Sequence, residues 1–207
     1  TTSPAQISIG LFDPSAIGGA SGYTVTKIPR VESEFTWTGH FGATTAEAPA
    51  GTDKVMVFVS GEWQHAQTPD ATNSTSKDSY GGAGGVRADF SGLSLVGSGF
   101  YGKGIGTVLM FDSGDEIAAD GELRTSYGFM GQAEYQPVGT KWKFGASYGE
   151  NDLKQNDADT NDCEGDCYLV KKNSAIVGSI TYLWTKSLRW VGEYTYTKAT
   201  AQTGEDR

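Results

Sequence analysis

The chain has 207 residues, 29 of them glycine, with 10 tyrosines, 5 tryptophans, 3 methionines and a formal net charge of -9. This composition favours strands and turns over packed helices. The acidic balance, with no cluster of Lys and Arg, argues against a nucleic-acid partner. No run of about 18–20 apolar residues is present, which excludes a helical membrane span but not a barrel whose short strands alternate apolar with polar. A mean hydropathy of -0.38 is compatible with such a barrel.

Taken in chain order, the alternating segments predict nine strands, at about 5–12, 27–38, 53–65, 79–90, 93–101, 122–136, 141–149, 173–184 and 188–199. The first three are the weakest. Ile7, Ile9 and Leu11 share one parity, as do Val31, Phe35 and Trp37, and then Val55, Val57, Val59 and Trp63. In the third, Met56 and Phe58 occupy the other parity, so its orientation is ambiguous.

Three hairpins follow with one construction. Tyr80, Val86, Ala88 and Phe90 lead through Ser91-Gly92 to Leu93 and Leu95, with Arg87 and Asp89 on the polar parity. Leu123, Tyr127, Phe129, Ala133 and Tyr135 oppose Arg124, Ser126, Gln132, Glu134 and Gln136. After the turn at 137–140, Trp142, Phe144, Ala146 and Tyr148 oppose Lys141, Lys143 and Ser147. Last, Ile176, Ile180, Tyr182 and Trp184 turn at 185–187 into Leu188, Trp190, Tyr194 and Tyr196, opposed by Arg189, Glu193, Thr195 and Thr197.

Connection lengths alternate: long at 13–26, 66–78, 102–121 and 150–172, short at 91–92, 137–140 and 185–187, with 39–52 the exception. Outer-membrane barrels have this asymmetry of short periplasmic turns and long external loops. Aromatic residues gather toward strand ends, as girdles at two membrane interfaces require, and the strands exceed the usual ~5–6 residues of globular sheets. On these grounds the apolar parity faces lipid and the charged parity a wet lumen. The competing arrangement is a soluble sandwich that buries Phe129, Trp142, Phe144 and Trp190 between two sheets.

The segments FSGLSLVGSGFYGKGIGTVLMF (90–111), SYGFMGQAEYQPVGTKWKFGASYGEN (126–151) and LVKKNSAIVGSITYLWTKSLRWVGEYTYTKA (169–199) resemble the trimeric general porins of Gram-negative proteobacteria, most plainly from Tyr80 to Ala199. The resemblance implies an all-β, antiparallel transmembrane β-barrel of sixteen strands. It also implies a homotrimer in the outer membrane and passive diffusion of small hydrophilic solutes or ions through a pore narrowed by an inward-folded loop. Nine strands are too few for it, and the terminal aromatic strand of the family is absent, the chain stopping at GEDR (204–207). The expectation is therefore a single barrel domain over 1–207 that covers only part of a barrel.

Function then resides in the charged parity: Arg87, Asp89, Arg124, Glu134, Lys141, Lys143, Arg189 and Glu193 are the expected pore-lining residues, with Arg87, Arg124 and Arg189 preferred. No enzyme is expected, because the two histidines, His40 and His65, have no evident nucleophile or orienting group in sequence. Neither a cofactor nor a metal is expected. The acidic stretch DADTND (157–162) lacks the glycine and glutamate of a calcium loop, having Asp162 and Tyr168 there, and GKGIGT (102–107) lacks the ending of a phosphate loop. Cys163 and Cys167, close together in that acidic segment, suit a local disulfide in an oxidising compartment, free thiols or metal binding being the alternatives. Two rival functions stand beside the pore: a plugged structural or adhesive barrel, and a soluble exported β-sandwich binding module.

Overall fold

A computed structural model describes residues 4–13, 24–25, 28–42, 53–67, 76–105, 116–118, 120–154 and 170–201. The strands are β1 (Ala5–Phe12), β2 (Thr24–Val25), β3 (Arg30–Phe41), β4 (Asp53–Gln67), β5 (Ser76–Phe90), β6 (Leu93–Lys103), β7 (Thr125–Tyr135), β8 (Trp142–Leu153), β9 (Val170–Leu183) and β10 (Arg189–Ala201). Apart from the two-residue β2, which pairs with β4, each strand lies antiparallel beside its sequence neighbour in one sheet, β1-β3-β4-β5-β6-β7-β8-β9-β10. Among the described residues β1 and β10 are the edges of this sheet and do not pair with each other.

All nine expected strands are present. Several run further than expected toward the long connections, because the ladder between β4 and β5 continues to Gln67 and Ser76 and that between β8 and β9 to Asp152 and Lys172. The tightest turn, Ser91-Gly92, has both residues at positive φ (42° and 91°), the mirror-image geometry that matches the twist of paired strands.

Register explains why the apolar parity survives from hairpin to hairpin. One row crosses the sheet as Ala5, Trp37, Val57, Val86, Gly97, Gly131, Tyr148, Ile176 and Tyr196. Nearer the short turns, Tyr135, Phe144 and Ile180 share another row, with Trp142, Tyr182 and Trp190 beside it. A slip of one residue between any two strands would move every following apolar side chain to the other face.

That face is the exposed one. Phe129 is 50%, Trp142 45%, Phe144 47% and Trp190 61% accessible, whereas Ser126 and Ala66, both on the opposite face, are 0%. Along β8 the alternation is regular, with Trp142, Phe144, Ala146 and Tyr148 exposed and Lys143, Gly145, Ser147 and Gly149 more shielded. A water-soluble sheet does the reverse, since burying apolar area is its main source of stability. The sandwich alternative fails here: among the described residues no second sheet covers the large rings.

Aromatic residues on the exposed face form two bands. Toward the short turns lie Phe41 and Phe90, their rings 5.7 Å apart, and Trp142 and Tyr182, 4.6 Å apart, with Trp184 and Trp190 close by. Toward the long connections lie Trp63, Tyr80, Tyr101, Tyr127 and Tyr148. Rings with an apolar body and a polar edge suit the two interfaces of a bilayer.

Candidate pore wall and its inward segment

The face opposite the aromatic bands carries the charges near the short turns, while Glu150, Asp152 and Lys172 lie on the aromatic face toward the long connections. Near the short turns, one row runs His40, Lys54, Asp89, Ser94, Glu134, Gly145, Ser179 and Glu193 from β3 to β10. Arg87 reaches back along β5 to Asp89, its Nε donating to both carboxylate oxygens (3.1 and 3.0 Å), and Lys54 approaches the same carboxylate at 3.5 Å. Lys143 pairs with Glu134 at 2.6 Å across the gap left by Gly145. Asp89 and Glu134 stand two strand spacings apart, about 10 Å.

The expected pore residues thus separate into groups. Arg87 and Asp89 come together, as do Glu134 and Lys143, all on the charged face. Glu193 shares their row but sits on β10, where it accepts a hydrogen bond from the Thr195 hydroxyl (3.3 Å), and Arg189 opens the same strand. Lys141 lies in the connection before β8 and donates to the Trp184 carbonyl at 3.0 Å, at the rim. Arg124 precedes β7 and is only 8% exposed.

Several charged residues of this face were missed by reading the sequence. Lys54 is one, because Met56 and Phe58 share its parity and obscure the orientation of β4, and Glu62 on the same strand is another. Glu32 and Glu34 alternate cleanly with Ser33 and Phe35 and could have been found by extending the same rule to β3. His40 lies on the charged face, whereas His65 lies on the aromatic face, stacked on Trp63 and 2.8 Å from Asp78. Cys163, Cys167 and the 157–162 stretch fall outside the described residues, as does part of 102–107.

The connection between β6 and β7 does not lie clear of the sheet: its described residues fold over the charged face. Leu123, expected on the aromatic parity of a strand, instead forms a small buried cluster with Ala66 and Ile117. The reason is local. Glu116–Ala118 and Glu122–Arg124 close on each other through Ala118 N–H to Glu122 O (2.8 Å) and Arg124 N–H to Glu116 O (2.8 Å), with Gly121 at φ 79° in the turn. The Gly104 N–H donates to the Arg124 carbonyl at 2.9 Å, tying the start of the segment to its end. Lys77 pairs with Glu122, anchoring the turn to β5. Gln64, Ala66, Ser79 and Ser126, all on the charged face, are buried at this end of the sheet.

No family model matches the sequence, and no curated protein matches it. Among solved structures, the chain is similar to the crystal structure of the outer membrane channel DcaP of Acinetobacter baumannii, with a TM-score of 0.73 at 14% identity. The match covers 99% of this chain and 56% of that one. At this identity the likeness is one of fold, and together with the outward aromatic face it defines the class: an all-β, antiparallel sheet of the outer-membrane β-barrel type.

Proposed function

We propose that this chain forms part of the wall of a diffusion pore in the bacterial outer membrane, through which small hydrophilic solutes and ions pass without a catalytic step. The observation that carries the reading is the inversion of the sheet: large rings stand exposed on one face, while paired charges and a folded-over segment occupy the other. Hydrocarbon suits the first face and water the second. A lumen lined by closely spaced opposite charges (Arg87, Lys54 and Lys143 against Asp89 and Glu134) orients dipolar solutes and disfavours apolar ones. Lys141, Arg189 and Glu193 complete the proposed lining, with the buried Arg124 behind it.

Additional strands close the barrel in this proposal. Unpaired edges at β1 and β10 would leave backbone N–H and C=O groups without partners in lipid, where each costs several kcal/mol. The whole protein is then a barrel of porin type, assembling as a homotrimer. Reconstitution in planar bilayers tests the function. Stepwise, ohmic current increments support it; a protein that inserts yet never conducts refutes it in favour of a plugged structural barrel.

A further inference from the structure

The charged face is not charged along its whole height. Beyond the row of ion pairs near the short turns, β4 to β7 turn apolar side chains to the same side: Met56 and Phe58 on β4, Val96 and Phe100 on β6, and Met130 on β7. The two rings lie down against the sheet. Phe58 leans across β5, where a Cβ on Gly85 would stand 2.6 Å from its Cε1, and Phe100 leans across β7, where a Cβ on Gly128 would also stand 2.6 Å from its Cε1. Ala83, Gly85 and Ser98 lie between the rings, so the trough has a floor of small residues and aromatic sides. Met130, opposite Ser98, is 37% exposed.

The charge beside the trough has one sign. Glu34 is exposed and stands diagonal to Phe58 across the β3–β4 ladder, about 7–8 Å away between backbones, with the Thr36 hydroxyl donating to its carboxylate at 3.1 Å. Glu32 and Glu62 face each other one step further along, and their three carboxylates outnumber the single guanidinium there, Arg30, which pairs with Glu32 at 2.7 Å. On the side toward the short turns, Arg87 and Lys54 are both drawn to Asp89. We infer that the trough binds amphiphilic cations: organic ammonium ions whose aromatic or alkyl body lies on Phe58, Phe100 and Met130 while the ammonium group faces Glu34. Covering the apolar side chains removes their area from water, and a cation gains further at the face of a phenylalanine ring. The ammonium carries into the wet passage a body that alone would be disfavoured there. The inference rests on the diffusion-pore reading and gives the passage a preferred class of solute.

The test is current block of the whole protein in planar bilayers by three probes: benzyltrimethylammonium, tetramethylammonium and benzenesulfonate. Benzyltrimethylammonium should block at a concentration roughly tenfold below either of the others. Phe58→Leu/Phe100→Leu keeps the trough apolar but removes its rings, and should erase most of the advantage over tetramethylammonium. Glu34→Gln should weaken block by both cations severalfold and leave benzenesulfonate unchanged. Equal block by the three ions, tighter block by benzenesulfonate, or an undiminished advantage without the rings overturns the inference; in the first case another part of the chain covers the trough. If the double variant loses heat-modifiable mobility, Phe58→Leu alone takes its place. Wild-type protein that gives no current steps refutes the pore reading instead. Calorimetric titration of the detergent-solubilised protein with benzyltrimethylammonium then reads the trough by itself: saturable binding that Phe58→Leu and Glu34→Gln each weaken supports it, and no binding overturns it.

Discussion

Placing one arginine on either face of the same hairpin separates a lipid-facing from a lumen-facing parity. Val86 lies on the aromatic face, opposite Val57 and Gly97, and is 45% exposed. It is four residues from Phe90 and six from Tyr80, or roughly 13 and 20 Å along the strand at ~3.3 Å per residue. With a strand tilt near 40° these become about 10 and 15 Å of depth, so Val86 sits close to the middle of the apolar band. Val86→Arg should therefore cost about 2–4 kcal/mol, a roughly 30- to 700-fold loss in the folding equilibrium. Ser98, one rung away on the charged face opposite Gly85 and Met130, is the control, and Ser98→Arg should stay within about 0.5 kcal/mol. Urea titration of folding into lipid vesicles, followed by tryptophan emission and heat-modifiable mobility, reads both. A larger penalty for Ser98→Arg than for Val86→Arg would refute the assignment of faces.

Reversing the charge at the pair near the turn, Lys143→Glu, should move the reversal potential in a salt gradient toward cation preference while changing stability by no more than about 1 kcal/mol, since the pair is partly exposed. An unchanged reversal potential removes Lys143 from the permeation path. Gly92→Ala should cost about 1–3 kcal/mol in the same urea titration, because φ is 91° and an added Cβ would collide with the Gln136 carbonyl; a neutral result contradicts the turn geometry. Trp142→Ala removes a ring that packs 4.6 Å from Tyr182 and should cost about 1–3 kcal/mol. A Trp142→Phe variant should recover most of that loss.

The faces of the sheet were legible in the sequence because period two is the one pattern a strand cannot hide. Arg87, Asp89, Glu134 and Lys143 all fall on the parity opposite the rings, as alternation alone requires. What was not legible depended on contacts between distant segments. Leu123 continues the alternation of Tyr127 and Phe129 in sequence, yet a turn at Gly121 and the hydrogen bonds between Glu116 and Arg124 take it out of the strand and set it on Ala66. Periodicity has no term for a chain that folds back. Lys54 was obscured for a different reason: Met56 and Phe58 place apolar groups on the charged parity, and only pairing with β3 and β5 fixes which side of β4 is which.

All five tryptophans, Trp37, Trp63, Trp142, Trp184 and Trp190, fall on the aromatic face or at its rim. Quenching of their emission therefore tests the orientation of the sheet directly. Brominated acyl chains in the host bilayer should extinguish most of the fluorescence, and aqueous iodide should have little effect. Strong quenching by iodide, with indifference to the brominated lipid, would contradict the account.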